Sequence, residues 1–298
     1  MEAAGVSAPA PKRSVGRRLA GLFHGRPRLQ AGAILAAPMG WLVIGYLGSL
    51  TVLLISAFWS LGELSGHIEG TTLEHFDRIY TEDVYRAVSL RTIGVAAAVT
   101  VTDALLAFPI ALYMAKFARP RIKSLMVVAV LMPLWSAYLV KVYAWRTILS
   151  DGGPLNWLLN PLGIDGPSYG LFSVYLVMSY IWLPYMIIPI YAGLERIPDS
   201  LLSASGDLGA RPGYTFRRVI MPLAFPAIVA GSIFTFSLTL GDFITPDLVG
   251  GSTQFIGSVV YDNFASNLPL AAAFTTVPII VMTVYLLIAR RLGAFEHL

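Results

Sequence analysis

The chain has 298 residues, of which 56% are hydrophobic and 13% charged, and its formal net charge is +4. Its mean hydropathy of +0.69 exceeds that of soluble globular domains, so composition predicts a polytopic membrane protein. The absence of cysteine excludes disulfides and thiolate metal sites. The four histidines lie outside the apolar segments without ligand-like pairing, so we expect no metal site and no cofactor bound by this chain.

Six apolar segments are long enough to cross about 30 Å of hydrocarbon as helices of about 20 residues each. They lie near residues 31–58, 87–117, 125–149, 171–194, 222–245 and 270–289. Their apolar residues run continuously and do not alternate, which excludes a transmembrane β-barrel. We therefore predict an all-α membrane protein with six transmembrane helices, in which residues 31–298 form the transmembrane domain.

The first 30 residues are rich in Ala, Pro, Gly and Arg, which is typical of a disordered segment that becomes amphipathic near a membrane. A cleavable signal peptide is the alternative. The apolar run from Ala31 onward is longer than the about 7–15 residues of a signal peptide core, so an uncleaved first helix is favoured. Residues 1–30 are therefore predicted to be an N-terminal segment, which the charge pattern described next places in the cytoplasm.

Basic residues are concentrated in alternate connections between the apolar segments. Besides the N-terminal segment, these residues are Lys116, Arg119, Arg121, Lys123, Arg196, Arg211, Arg217, Arg218, Arg290 and Arg291. The other connections are acidic or neutral. Because short cytoplasmic loops retain Lys and Arg during insertion, we predict that this side and both termini are cytoplasmic. The positive charge is then explained by topology and by anionic lipid, without a nucleic-acid partner.

Asp103 is the clearest ionisable residue within a predicted span. It lies 13 residues before Lys116, about 20 Å at helical rise, which places it near the middle of the bilayer. Charges at that depth are costly and are therefore functional candidates. A carboxylate lining a pore would suit a polycation, so Asp103 is a candidate for the substrate pathway. The alternative is a packing role, in which the carboxylate is bonded to a neighbouring Thr or to Arg91.

Aromatic and basic side chains mark the third span, where Trp135 and Tyr138 precede Lys141 and Arg146. Trp135 or Tyr138 could stack on an alkyl-ammonium solute through a cation–π attraction of about 0.5–2 kcal/mol. An aromatic belt with bases that snorkel to the interface is the favoured alternative. A third interpretation is a rim that contacts an external binding protein.

Residues 195–221 carry too many charges and glycines to cross a bilayer, although they separate two strongly apolar spans. Pro198-Asp199-Ser200 indicates a helix start, in which Asp199 or Ser200 caps the first amides. Gly209 is expected to end this helix, and a second short helix over residues 214–220 precedes the span that opens at Pro222. Such a protrusion predicts a partner outside the membrane. The alternative is an amphipathic loop that lies on lipid headgroups.

The spacing in this loop resembles the EAA loop of permease subunits in ATP-binding cassette (ABC) importers. That pattern is Glu-Ala-Ala, three residues, Gly, nine residues, Ile, one residue and Leu-Pro. Here the segment 203–205 is Ser-Ala-Ser, followed at the same intervals by Gly209, Val219 and Met221-Pro222. The resemblance implies a coupling helix between helices 4 and 5 that docks in a cleft of a separate ATPase. It implies contacts from Ser203, Ala204, Ser205, Asp207, Gly209, Arg211, Phe216, Arg217, Arg218 and Pro222.

Residues 201–251 and 132–156 are similar to the spermidine/putrescine branch of this family, in its first-permease type. The resemblance implies the MetI-like type I importer permease fold, in a bacterial inner membrane, and import of a polyamine such as spermidine or putrescine. It implies as partners an ATP-binding subunit dimer that holds ATP and Mg, a second homologous permease and an extracytoplasmic substrate-binding protein. Relatives for opines, phosphonates and other small solutes share much of the pattern, so another solute is the alternative.

Two features of the fifth span bear on this interpretation. Asp242 lies about 30 Å beyond Pro222 at helical rise, at the predicted external mouth, where it can act as a gate or a substrate contact. Gly231, Ser232 and Ser237 form a small-residue face that suits close packing against a second permease.

Two other classes of protein are less well supported. An ion-driven secondary transporter would use Asp103 as its ion site, but such proteins usually contain two related halves, and residues 31–150 and 170–290 show no repeat. A membrane-embedded enzyme would need a clustered nucleophile, base or metal ligands, and the sequence contains no such group. We therefore predict no catalytic residues and no enzymatic activity in this chain.

Overall fold

The computed structural model of the protein describes residues 27–62 and 67–291. Residues 1–26 of the predicted N-terminal segment, with His24, lie outside the described residues, as does His297. Contacts divide the chain between Ile55 and Ser56 into two units. The first contains α1 (Pro27–Trp41), a π-helical segment (Leu42–Leu47) and all but the last residue of α2 (Gly48–Ser56). Within it, Ile34–Ser56 is long and apolar enough to cross a membrane.

The second unit begins with a short antiparallel hairpin, which the sequence did not predict. Strand β1 (Trp59–Leu61) pairs with β2 (Ile68–Thr71), with Trp59 opposite Thr71 and Ser60 opposite Gly70. Helix α3 (Glu74–Thr81) follows. Nε2 of His75 lies 3.2 Å from the carbonyl oxygen of Trp59, so the imidazole connects α3 to the hairpin.

The rest of the unit is helical, which confirms the predicted helical membrane fold. The elements are α4 (Asp83–Leu112) with a π-helical segment (Tyr113–Phe117), α5 (Pro120–Trp135), α6 (Tyr138–Leu149), α7 (Pro154–Leu159) with a 3-10 turn (Asn160–Leu162), α8 (Leu171–Glu195), α9 (Asp199–Asp207), α10 (Pro212–Thr215) with a π-helical segment (Phe216–Ile220), α11 (Met221–Gly241), α12 (Ile244–Val249), α13 (Ile256–Phe264) and α14 (Leu268–Arg291). Asp83–Phe117, Leu171–Glu195, Pro212–Gly241 and Leu268–Arg291 are each long and apolar enough to span a membrane.

The third predicted span, residues 125–149, is not one straight helix. It consists of α5 and α6, which together are apolar enough to span but are bent by 93°. The carbonyl oxygen of Pro133 bonds to no amide of a continuing helix. It accepts hydrogen bonds from Oγ of Ser136 at 2.9 Å and from Nζ of Lys141 at 3.1 Å. Because helix-end carbonyls need partners, these two side chains stabilise the break.

The core of the unit is formed by α4, α8 and α11, which pack against one another. One apolar cluster fills the half of the bundle near the hairpin and contains Val95, Val99, Val142, Leu149, Val174, Val177, Met178, Ile181, Trp182, Val249 and Phe255. A second fills the half near the basic connections and contains Ala107, Ala111, Met114, Met186, Ile187, Ile190, Leu194, Ile197, Ile220 and Ala224. Burial of these side chains supplies the main packing between the helices.

Gly231 and Ser232 pack inside this chain and do not form a free face for another subunit, so that part of the prediction is wrong. A Cβ atom at Gly231 would lie 3.1 Å from the carbonyl oxygen and 3.3 Å from Cα of Met186. Ser232 is buried, and its hydroxyl lies 2.6 Å from the hydroxyl of Tyr285 on α14. Gly231 is therefore required by the close approach of α8 and α11.

We expect Gly231→Ala to lower the melting temperature of the solubilised protein, because the new methyl group meets backbone atoms of Met186 that cannot move aside. Overpacking of this kind costs about 1–3 kcal/mol. Gly94→Ala is the matched control, since Gly94 is also within a helix and its Cβ would have no neighbour within 4 Å. There the melting temperature should hold or rise, because Ala favours helix by about 1 kcal/mol. Equal melting temperatures for Gly231→Ala and Gly94→Ala would contradict the close packing of Gly231 against Met186.

Candidate functional site

The segment after α8 forms a short helix, α9, which is closed by a C-terminal cap at Gly209. Gly209 has φ of 77°, a left-handed conformation that favours glycine. Its amide donates to the carbonyl oxygen of Gly206 at 2.8 Å, and the amide of Ala210 donates to that of Ser205 at 3.1 Å. These two bonds are the Schellman pattern that closes a helix. The predicted helix and its end at Gly209 are present in the structure.

The start of α9 differs from the prediction, because neither Asp199 nor Ser200 caps it. The residue before the helix is Pro198, and no side chain caps the first amides. The Asp199 carboxylate instead accepts a hydrogen bond from Nζ of Lys116 at 2.8 Å. This hydrogen bond and the lysine charge hold the pKa of Asp199 below its usual value.

The second half of the loop is continuous with α11, whereas a separate helix ending before Pro222 was expected. Helix α10 begins at Pro212, and the π-helical segment leads directly into α11, so that residues 212–241 form one long helix. Proline lacks an amide hydrogen and its ring crowds the carbonyl four residues earlier. The wider π-helical turn before Pro222 is the kind of local adjustment that lets a helix pass a proline.

The loop presents a mixed apolar and charged surface at the end of the molecule that carries the basic connections. Leu208 is 89% exposed there, and Tyr214 is also exposed. The predicted contact residues on this surface are Ser203, Ala204, Asp207, Gly209, Arg211, Arg217, Arg218 and Pro222, all of them exposed. A solvent-exposed leucine beside both signs of charge is a surface suited to another protein.

Two of the predicted contact residues instead stabilise the loop. Oγ of Ser205 lies 2.8 Å from Oγ1 of Thr215, which joins α9 to α10. Phe216 packs edge-on against Phe108 of α4, with ring centroids 5.6 Å apart and ring planes at 87°. Both are only partly exposed, so we expect them to shape the loop.

Asp242 and Tyr138, two of the predicted pathway residues, meet at the opposite end of the bundle. The hydroxyl of Tyr138 donates to Oδ1 of Asp242 at 2.6 Å, and that of Thr245 donates to Oδ2 at 2.7 Å. The amides of Ile244 and Thr245 also donate to Oδ1, at 3.0 and 3.1 Å. The buried Asp242 carboxylate therefore caps α12 and holds α6 against it.

The other two pathway residues lie apart from this cluster. Trp135 is 88% exposed at the end of α5. Asp103 is buried in α4, and among the described residues neither of its carboxylate oxygens has a hydrogen-bond partner. The alternative packing role, in which the carboxylate bonds to a neighbouring Thr or to Arg91, is wrong, because Asp103 bonds to neither; Arg91 donates to the carbonyl oxygen of Gln254 at 3.2 Å. The hydroxyl of Thr102 likewise lies 2.6 Å from that of Tyr175.

The sequence of the chain matches a known family over most of its length. Residues 87–295 match the binding-protein-dependent transport system inner membrane components. The chain belongs to this family. It is therefore a multi-pass transport permease and not an enzyme.

The permease is similar to two curated proteins of Escherichia coli (strain K12). It is 43% identical to the inner membrane ABC transporter permease protein YdcU, over 97% of this chain and 98% of that protein. It is 31% identical to the spermidine/putrescine transport system permease protein PotB, over 84% of this chain and 93% of that protein. These relatives confirm a type I ABC importer permease of the PotB-like branch.

Two solved structures share the fold of the permease. One is a bacterial ABC transporter involved in import of the acidic polysaccharide alginate, with a TM-score of 0.67 and 18% identity over 92% of this chain and 99% of that chain. The other is the MetNI methionine ABC transporter in inward-facing conformations, with a TM-score of 0.52 and 16% identity over 71% of this chain and 97% of that chain. The predicted MetI-like fold is confirmed.

The prediction of contact residues in the permease missed three that the structure brings to the loop. Leu208 and Tyr214 are apolar and exposed, and the helical pattern of residues 201–210 is the signal that could have placed Leu208 on the surface. Lys116 is 83 positions before Asp199, and no local pattern indicates their contact. Among the described residues, no group of three or more His, Asp or Glu side chains is arranged to hold a metal ion.

Proposed function

We propose that this permease imports a polyamine such as spermidine or putrescine. The observation that carries the proposal is the buried Asp103 carboxylate on a spanning helix, which has no partner among the described residues. A charge in hydrocarbon costs several kcal/mol unless it is paired or hydrated. Asp103 has no exposed surface in this conformation, so an ammonium group of the solute would supply that pairing when the helices separate during the transport cycle. PotB, named for spermidine and putrescine, supports the same solute class. The name of YdcU specifies no solute, so an opine, a phosphonate or another small solute is the competing outcome.

The end of the bundle that carries the α8–α11 loop is proposed to face the cytoplasm. Lys116, Lys123 and Arg196 gather there with the bases of the loop, as expected for the side that retains positive charge. Asp242 and the hairpin then face outward, and both termini lie in the cytoplasm. Residues 1–30 would form a cytoplasmic segment and residues 31–298 the permease domain in the bacterial inner membrane.

The exposed surface of α9 and α10 is proposed to bind one subunit of an ATPase dimer, which holds ATP and Mg. A second homologous permease completes the pathway, and an external binding protein delivers the solute. Leu208, Tyr214, Asp207 and Arg211 would form the contact, since all four are exposed. Ser203 donates within its own helix to the carbonyl oxygen of Asp199 at 3.2 Å, so it contributes little to a partner. Asp103, Trp135, Tyr138 and Asp242 are proposed to lie along the solute pathway.

Solute identity is tested by reconstituting the complete importer in proteoliposomes with enclosed ATP. We expect radiolabelled spermidine or putrescine to accumulate only with ATP, and unlabelled polyamine to compete. A phosphonate at the same excess should not compete, because it is an anion. Accumulation of the anion in place of the polyamine would contradict the proposed solute. Uptake by the permease alone under an ion gradient would contradict the ABC mechanism and favour a secondary transporter.

A further inference from the structure

A buried lysine holds the corner between α8 and α9. Lys116 lies in the π-helical segment that follows α4, and its side chain is 8% exposed. Its Nζ donates to the carbonyl oxygen of Ile197 at 2.5 Å and to Oδ1 of Asp199 at 2.8 Å. Carbonyls just past a helix end lack an intrahelical partner and favour a cation. Lys116 therefore fixes the direction in which α9 leaves the bundle.

The two partners of Lys116 differ in their environment. Asp199 is 85% exposed, so its carboxylate stays hydrated while it accepts the hydrogen bond. The lysine is nearly enclosed, and a buried ammonium group is tolerated only with hydrogen-bond partners. Movement of Asp199 and Ile197 together away from Nζ would leave that charge without a partner. The corner and the end of α4 are thus expected to move together.

Two further contacts join the ends of the loop to α5 and to α4. Nζ of Lys123, in the first turn of α5, donates to Oε1 of Glu195 at 2.5 Å and lies 5.5 Å from the ring centroid of Tyr191. At the other end of the loop, Phe216 packs on Phe108 of α4. The chain connects the loop covalently to α8 and α11 alone. Through these side-chain contacts, α4 and α5 are also expected to move when the loop moves.

We propose that Lys116 is the positioning residue that transmits displacement of α9 to α4, the helix that carries Asp103. The inference rests on the proposed docking of an ATPase on this loop. Asp103 and Lys116 belong to one long helix, Asp83–Phe117, and are about 20 Å apart along it. Pro109 and the π-helical segment Tyr113–Phe117 lie between Asp103 and the end of this helix, but the helical backbone is continuous, so a displacement at Lys116 is passed along α4 toward Asp103. Closure of the ATPase would therefore shift the proposed solute contact through the Lys116–Asp199 pair, in addition to moving α8 and α11.

The test uses the complete importer in proteoliposomes and compares Lys116→Met, which keeps the length of the side chain but removes its charge, with Lys116→Arg. We expect Lys116→Met to retain its copurified ATPase, its basal hydrolysis and its half-saturation concentration for solute. Its maximal uptake rate, and the stimulation of hydrolysis by loaded binding protein, should fall at least about tenfold. Lys116→Arg should restore most of both, because a cation again faces Asp199 and the Ile197 carbonyl.

Arg121→Met is the matched control, since Arg121 is an exposed cation in the same connection and has no hydrogen bond or ion pair with a described residue. It should behave as the unmodified importer. Normal stimulated uptake by Lys116→Met would overturn the proposal, and so would loss of its ATPase on purification, which would indicate a docking defect. If the Lys116→Met protein is not produced in the membrane, the Asp199→Asn variant tests the proposal instead. It keeps the Lys116–Ile197 bond and should lower the maximal rate severalfold at unchanged half-saturation; an unchanged rate would overturn the proposal.

Discussion

Leu208→Asp is expected to abolish ATP-driven uptake by separating the permease from its ATPase. Leu208 is the most exposed large apolar side chain of the protruding loop, at 89%, and it stands at the end of α9 beside Gly209. The few residues that bury fully at the centre of an interface contribute about 2 kcal/mol or more to binding, and the exposure of Leu208 at the tip of the loop makes it our candidate for such a residue. Introducing a carboxylate there would also place an unpaired charge in the contact. We therefore expect at least about thirtyfold weaker association.

The measurement is the amount of ATPase that copurifies with a tagged permease at matched membrane levels. Leu162→Asp is the control, because Leu162 is also highly exposed but lies at the end of the 3-10 turn after α7, on the side proposed to face outward. It should retain its ATPase in full. Because Leu208 has little buried surface to lose, the melting temperature of Leu208→Asp should stay unchanged. Full copurification of ATPase with Leu208→Asp would refute docking through this surface.

Asp103→Asn is expected to raise the half-saturation concentration for spermidine about tenfold, which corresponds to roughly 1.4 kcal/mol of lost interaction. The carboxylate is buried and has no partner among the described residues, so an ammonium group of the solute would be its natural counter-charge. Asn keeps the shape of Asp and removes only the charge. A neutral amide costs less to bury than a carboxylate, so the variant should be at least as stable as the unmodified permease.

Initial uptake rates over a range of spermidine concentrations measure this effect. Asp165→Asn is the control, since Asp165 is an exposed carboxylate in the connection after α7, and its half-saturation concentration should not change. The pattern also differs from that expected for Lys116→Met, where the maximal rate falls and half-saturation holds. An unchanged half-saturation concentration in Asp103→Asn would remove Asp103 from the proposed solute pathway.

Local sequence signals predicted the helical framework well. The helix Leu171–Glu195 was expected over residues 171–194, because a long apolar run has one stable form in hydrocarbon. Gly209 was expected to end α9, and its positive φ is the physical reason. Pro222 lies in the first turn of α11, as expected, but the helix continues back from there to Pro212. A proline within a membrane helix is tolerated once the preceding turn widens, and that depends on the surrounding packing.

The site was predictable where its residues are close in the chain. The spacing from Ser203 to Pro222 indicated a loop that binds an ATPase, and the structure shows most of these residues exposed. Asp242 was located correctly near the far end of its helix. Its carboxylate, however, accepts hydrogen bonds from Tyr138, which is 104 positions away, and from Thr245. One sequence contains no signal for such a pair, because either residue would look the same with another partner.

Hydropathy, charge and spacing in the sequence by themselves determined the membrane class, the helical fold and the importer family, since each of these depends on properties that add up locally along the chain. The tertiary structure alone decided which buried charges are paired. It joins Lys116 to Asp199 and Tyr138 to Asp242, while Asp103 is left without a partner among the described residues. The reason is geometric: a hydrogen bond needs two atoms within about 3 Å, and only the packing of α4, α6, α8 and α11 sets those distances.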